Sequence, residues 1–335
     1  MHRIIISRVD NLGDVVLTLP VAGVLKALYP DSEITFLGNG YTRPLIEASR
    51  HVDSFLDWLE IANRLPSEQL QIFTSLKADI FIHVFPRQEI ARLAAKSAIP
   101  ARLGTNRRIY HWLYCNRKVN FTRRGSNLHE AQLNLKLLVP LGAKEIYSLS
   151  EIPDYYGLTK IDPLRDGLKD LLSVKRVNLI LHPKTKGSAR EWGIDNFSKL
   201  VEILPAQAYK IFITGTRDDG RKITEFLKRY GQRVVDLTGK MALGELISFI
   251  HAADGLVAAS TGPLHIASAL NRYALGLYAP MRPIHAGRWA PVGKNADYLM
   301  IDKTCNDCRK STACRCITSI RPEDVYSRIE GALRK

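Results

Sequence analysis

Short apolar runs alternate with helical periodicity from one end of this chain to the other. In the first half the runs fall at 4–6, 34–37, 55–59 and 80–85, with helical patterns near 15–28, 42–49, 67–77 and 87–98. In the second half they fall at 177–181, 211–214, 234–237, 256–259 and 275–278, separated by helical patterns near 195–204, 218–229, 242–252 and 263–270. Strand–helix alternation in both halves predicts two doubly wound, mostly parallel α/β units. Pro153, Gly157, Pro163 and Gly167 interrupt any long pattern, so the expected domains are 1–160 and 170–335. With no short repeat present, the halves read as two similar folds rather than an array. A last helix, 322–335, has Pro322 in its first turn and is a candidate to pack back on the first domain.

At 335 residues, 46% of them apolar, the chain can bury the core that two domains need. No apolar run approaches the length of a membrane span. The run at 4–6 is too short for a signal peptide, and Arg8 and Asp10 interrupt it. The five cysteines are therefore expected in a reducing cytoplasm, where disulfides are rare. A net charge of +15 points to an anionic partner: nucleic acid, anionic lipid or a phosphorylated substrate. Neither half carries G-x-G-x-x-G after its first strand and no Walker A motif is present. Dinucleotide oxidoreductases and P-loop kinases are thereby disfavoured.

Three segments carry candidate chemistry. In Ser7-Arg8-Val9-Asp10-Asn11-Leu12-Gly13-Asp14 a buried strand ends in a Gly-containing turn that opens a helix. Asp14 then lies at the carboxyl end of the first strand, where open α/β sheets bind ligands, as a general base or simply as a helix cap. Ser260-Thr261-Gly262-Pro263-Leu264-His265 repeats the strand-to-helix turn in the second half. The free N–H groups and dipole of that helix suit a diphosphate, and His265 reads either as a ligand of the anion or ribose or as a buried core histidine. The third segment, 182–192, places Lys184, Thr185, Lys186, Ser188 and Arg190 after another strand. Its cations suit a diphosphate leaving group without a metal, or form a solvated basic loop above Trp192.

Together these segments resemble glycosyltransferase family 9, the ADP-heptose:lipopolysaccharide heptosyltransferases. The resemblance rests on Leu12-Gly13-Asp14-Val15-Val16 with Pro20, on His182-Pro183 with Arg190 and Trp192, and on Lys240-Met241-Ala242-Leu243. It extends through Thr261-Gly262-Pro263-Leu264-His265 and from Arg282-Pro283-Ile284-His285 to Gly287-Arg288-Trp289. It implies a GT-B fold, two Rossmann-like domains facing a cleft, with acceptor binding in the first and donor binding in the second. It also implies inverting transfer without a catalytic cofactor. Asp14 matches the base, Arg190 the cation on the donor phosphates, and Ser260, Thr261, Gly262 and His265 the diphosphate loop. Met241 matches a residue beside the adenine, and Asp219 is placed near the ribose. Many relatives have Asp where Ser260 stands and Gly where Lys184 stands, so both departures are expected to make the donor pocket more positive.

Arg107, Arg108, Arg123 and Arg124 lie in a basic stretch between Arg87 and Arg124 that Glu89 alone opposes, with Tyr110, Trp112 and Tyr114 interleaved. They are the candidate acceptor contacts, suited to an anionic lipopolysaccharide core or to anionic lipid of the inner-membrane surface. Nucleic acid is the rival partner, but no RNP, KH or zinc-finger spacing accompanies the patch. Cys305, Cys308, Cys314 and Cys316 fall within twelve residues, a set for structural Zn or Fe or for reduced thiols. Cys115 stands alone. The expectation is a cytoplasmic, membrane-peripheral glycosyltransferase moving heptose from ADP-L-glycero-D-manno-heptose to the lipopolysaccharide inner core. The alternatives are a different nucleotide sugar or a protein acceptor on the same fold, or a non-enzymatic nucleic-acid-binding protein.

Overall fold

The computed structural model describes residues 1–123, 125–185, 187, 189–301 and 315–334. The chain divides into two compact units, Met1–Lys160 and Ile161–Lys335. The first holds a parallel sheet of β1 (Arg3–Ser7), β2 (Glu33–Gly38), β3 (Ser54–Asp57), β4 (Ile80–His83), β5 (Ala101–Thr105) and β6 (Arg117–Val119), in the order β3-β2-β1-β4-β5-β6. The second holds β7 (Val177–His182), β8 (Tyr209–Ile213), β9 (Val234–Asp236), β10 (Gly255–Ala259), β11 (Tyr273–Tyr278) and β12 (Ala296–Met300), in the order β12-β11-β10-β7-β8-β9. Counted from its own first strand, each sheet has the Rossmann order, with a topological switch point beside that strand.

The central strands are continuous apolar runs because helices cover both faces of a parallel sheet. Ile5, Leu37 and Phe81 pack with Phe73, Ile90 and Leu93 in the first unit. Leu179, Leu181, Val257 and Leu275 pack with Trp192, Phe197 and Leu200 in the second.

Several elements depart from the periodicity for local reasons. The pattern at 15–28 splits into helices Leu12–Val16 and Leu19–Leu28. Pro20 cannot donate to the Val16 carbonyl; the Thr18 N–H turns to the Val15 carbonyl at 2.9 Å, and the Thr18 hydroxyl donates to the Asp14 carbonyl in its place at 2.8 Å. The run at 55–59 is cut short because Asp57 caps the helix Trp58–Ala62 through the Leu59 N–H at 2.9 Å. In the last helix, Pro322–Leu333, Val325 and Ile329 are fully buried in the second unit's own core, packed with the helix Ile194–Ile203 and β11. Among the described residues no helix is long and apolar enough to cross a membrane.

Candidate active site

At the carboxyl end of β1 the chain buries a cation. Arg8 is 2% exposed, and such a charge needs partners. Its Nε donates to Asp10 Oδ1 at 2.7 Å, Nη2 pairs with Asp14 Oδ1, and Nη1 reaches Glu130 Oε1 at 3.4 Å and Asn134 Oδ1 at 3.5 Å. Phe85 offers its ring 5.6 Å from the guanidinium. Glu130, itself 1% exposed, is also paired with Arg123. Arg123 in turn donates to the Val84 carbonyl and to Asn134 Oδ1, both at 3.0 Å. Among the described residues Asp10, Asp14 and Glu130 thus share the guanidiniums of Arg8 and Arg123 beside the first switch point. Burial raises the Asp10 carboxyl to about 6; Arg8 opposes the shift and Asp14 adds to it.

Asp14 itself is not spent as a cap. The residue preceding its helix, Asn11, makes no side-chain capping bond, and among the described residues the only hydrogen bond on the Asp14 carboxylate is Arg8 to Oδ1. Among the described residues Oδ2 has no protein donor, and the side chain keeps 14% of its surface open. A carboxylate held by one oxygen and open at the other is arranged to receive a proton.

In the second unit, β7 and β10 are hydrogen-bonded neighbours, with His182 level with Ala258. The loops that follow them therefore share one switch point. Thr261 precedes the helix Gly262–Ala269, is 7% exposed, and makes no side-chain capping bond. Its Oγ1 has no partner among the described residues. An unsatisfied, buried hydroxyl at a helix N-terminus marks a place where an anion would complete the hydrogen bonding. His265 lies one turn further in and is 2% exposed. Ser260 is half-buried and hydrogen-bonds Tyr278, while Gly262 opens the helix.

The loop after β7 is largely self-supporting. Glu191 pairs with Lys184 and accepts from the Thr185 N–H at 3.2 Å. The Thr185 hydroxyl donates to the Ala189 carbonyl at 2.9 Å. Lys184 is thus ion-paired within its own loop. Arg190 closes the loop, half-buried. Below it Trp192 is fully buried and donates from Nε1 to the Ile320 carbonyl at 2.9 Å. Lys186 and Ser188 lie outside the described residues.

Asp219 caps its own helix: Oδ2 accepts from the Thr216 N–H at 2.8 Å and hydroxyl at 2.6 Å. The side chain is 3% exposed in this capping position. Met241 is half-buried in the turn between β9 and the helix Leu243–Ala252. One residue outside the expected set joins this edge. Arg288, 8% exposed, sits after β11 in the helix Ala286–Trp289. From the loop after β11 to that after β9 the row crosses four strand spacings, about 19 Å.

Of the expected acceptor residues, Arg107 and Arg108 are exposed after β5. Arg123 is turned into the buried network beside Asp14, and Arg124 lies outside the described residues. Cys305, Cys308 and Cys314 lie outside them too, while Cys316 is buried in the helix Arg315–Thr318. Sequence reasoning missed Arg8, Asp10, Glu130 and Asn134. Arg8 and Asp10 stand in the very segment that drew attention to Asp14. Glu130 is an isolated acid after a long basic stretch, and Asn134 follows it by one helical turn.

Each unit thus carries its polar groups at a Rossmann switch point, the place where open α/β sheets bind ligands. The family model for glycosyltransferase family 9 (heptosyltransferase) matches residues 89–316, and the chain belongs to that family. Lipopolysaccharide heptosyltransferase 3 of Escherichia coli K12 is 25% identical over 303 residues, covering 84% of this chain and 83% of the relative. Among solved structures, the Escherichia coli ADP-heptose lipopolysaccharide heptosyltransferase II superposes with a TM-score of 0.76 at 19% identity, covering 100% of this chain and 99% of that one. A family 9 glycosyltransferase from Veillonella parvula reaches 0.78 at 18% identity, covering 99% and 97%. These likenesses show the fold, which is GT-B.

Proposed function

We propose that this glycosyltransferase moves heptose from ADP-L-glycero-D-manno-heptose to a hydroxyl of the lipopolysaccharide inner core, with inversion at the anomeric carbon. The observation that carries the reading is Asp14, anchored through Oδ1 and open at Oδ2. The acceptor hydroxyl gives its proton to Oδ2 as its oxygen attacks the anomeric carbon. The bond from that carbon to the diphosphate breaks, and the electron pair leaves with ADP. Charge developing on the diphosphate falls to Arg190, Thr261 and the helix that opens at Gly262. A single displacement of this kind needs a base and no protein nucleophile, which is why inversion follows.

The donor assignment is supported by the family match and by the ADP-heptose enzyme among the structural neighbours. The acceptor assignment is supported by the lipopolysaccharide heptosyltransferases among the relatives and by the basic edge around Arg107 and Arg108. The same charge draws the enzyme to the cytoplasmic face of the inner membrane as a peripheral protein. The four-cysteine set is assigned to a structural Zn or Fe on its spacing, outside the catalytic steps. Metal analysis of the purified protein beside Cys305→Ser tests that assignment, and equal metal content in both would refute it.

A thermal-shift screen of nucleotide sugars tests the donor directly, because a ligand bound only by the folded state raises its melting temperature. Stabilisation by ADP and ADP-heptose is expected. Stabilisation by a uridine or guanosine diphosphate sugar alone would transfer the donor assignment elsewhere. No response with no turnover would favour the binding-protein alternative.

A further inference from the structure

Three of the large apolar side chains exposed in this molecule stand on one short helix, Ile109–Tyr114. Ile109 is 87%, Trp112 60% and Leu113 75% exposed. Their i, i+3, i+4 spacing puts them on one face. The opposite face is fixed: His111 is fully buried, with Nδ1 at 2.9 Å from the Thr105 carbonyl. Gly104 permits that close docking, since a Cβ there would stand 2.5 Å from His111 Nδ1 and 3.0 Å from Cys115 Sγ. The Trp112 ring is held by Nε1 donating to the Asn106 carbonyl at 3.0 Å, with Lys118 Nζ 5.0 Å from the ring centroid. The apolar face is thus presented by a rigid mount.

Charge identifies what covers it. No acidic residue occurs between Glu89 and Glu130, while Arg107, Arg108, Arg117 and Lys118 flank the helix. A second copy would set like charges against each other. An anionic phospholipid surface matches both features, phosphates to the cations and the acyl boundary to the apolar tips. The helix also follows β5 at the same carboxyl edge of the sheet from which Asp14 projects. A lipid-borne acceptor would therefore be delivered to the edge that carries the base.

We propose that the helix Ile109–Tyr114 is the membrane-contact element of this protein, inserting Ile109, Trp112 and Leu113 into an anionic bilayer interface. This rests on the reading of the enzyme as peripheral to the membrane and names the part that makes the contact.

The test is flotation with vesicles of phosphatidylethanolamine and phosphatidylglycerol, free of lipopolysaccharide, against phosphatidylcholine vesicles. Wild type is expected to float with the anionic vesicles, and Ile109→Asp/Leu113→Asp to partition at least about tenfold less. Both positions are exposed, so an unchanged melting temperature checks the fold. Acyl-brominated lipid should quench wild-type tryptophan fluorescence and leave Trp112→Phe unquenched. Equal flotation of the double variant, no flotation of wild type, or no quenching would overturn the proposal, as would a wild-type dimer that the variant dissociates. Turnover on delipidated core oligosaccharide should be the same in wild type and double variant. Failure of both proteins there would count against the transferase reading, separately from the vesicle result.

Discussion

Asp10 and Asp14 share the guanidinium of Arg8 but are set to different tasks. Asp10 holds its proton up to about 6, chiefly because it is buried. Above that pH it is ionised and takes part of the Arg8 charge; below it, Arg8 bears on Asp14 and Glu130 alone. Transfer is therefore expected to fall as pH drops through about 6, and the Asp10→Asn pH–rate profile to lose that limb. Persistence of the limb in the variant would mean that another group titrates. Thr261 permits a cleaner separation of function from stability. Its hydroxyl has no partner among the described residues, so Thr261→Val should leave the melting temperature unchanged or raised while weakening ADP about tenfold or more. A lower melting temperature with unaltered ADP affinity would make the hydroxyl structural. Arg190→Ala should weaken ADP by about 10- to 100-fold in calorimetry, the range of a lost charge-assisted bond. Unchanged affinity would show that this cation does not meet the diphosphate.

At the scale of elements, the buried central strands were legible because apolar runs bounded by turns have one reading in a doubly wound fold. Three strands toward the sheet margins were not: β5 (ARLGT) and β6 (RKV) have no run of three apolar residues, and β12 (ADYLM) opens on Ala-Asp before its short one. They become strands because a neighbour supplies the hydrogen-bond ladder, information held in another part of the chain. The carboxylate network was hidden for a related reason: Arg8 and Glu130 are 122 positions apart. Asp219, by contrast, could have been read as a cap from Thr216 three residues earlier. Helix packing offers its own test. A Cβ on Gly23 would stand 2.2 Å from the Tyr155 carbonyl oxygen, backbone against backbone. Gly23→Ala should therefore destabilise the protein by about 1–3 kcal/mol in chemical denaturation, despite the better helix propensity of alanine. A neutral or stabilising result would mean that the contact gives way freely.

Across the whole molecule, two sheets of the same strand order carry unlike chemistry at their switch points. The first gathers carboxylates and the second a helix N-terminus with a buried hydroxyl, and the proposed transfer assigns deprotonation of the acceptor to the one and the diphosphate to the other. The excess of +15 gives the molecule one affinity for every anion it meets, so identity has to come from these local arrangements. The base is where that claim is most exposed. Asp14→Asn keeps an acceptor for Arg8 at Oδ1 and removes the proton-accepting oxygen. Steady-state transfer from ADP-heptose to core oligosaccharide, measured beside ADP binding, should show kcat lowered by about 100-fold or more with ADP affinity intact. A variant that retains wild-type kcat would contradict the assignment of Asp14 as the group that takes the proton.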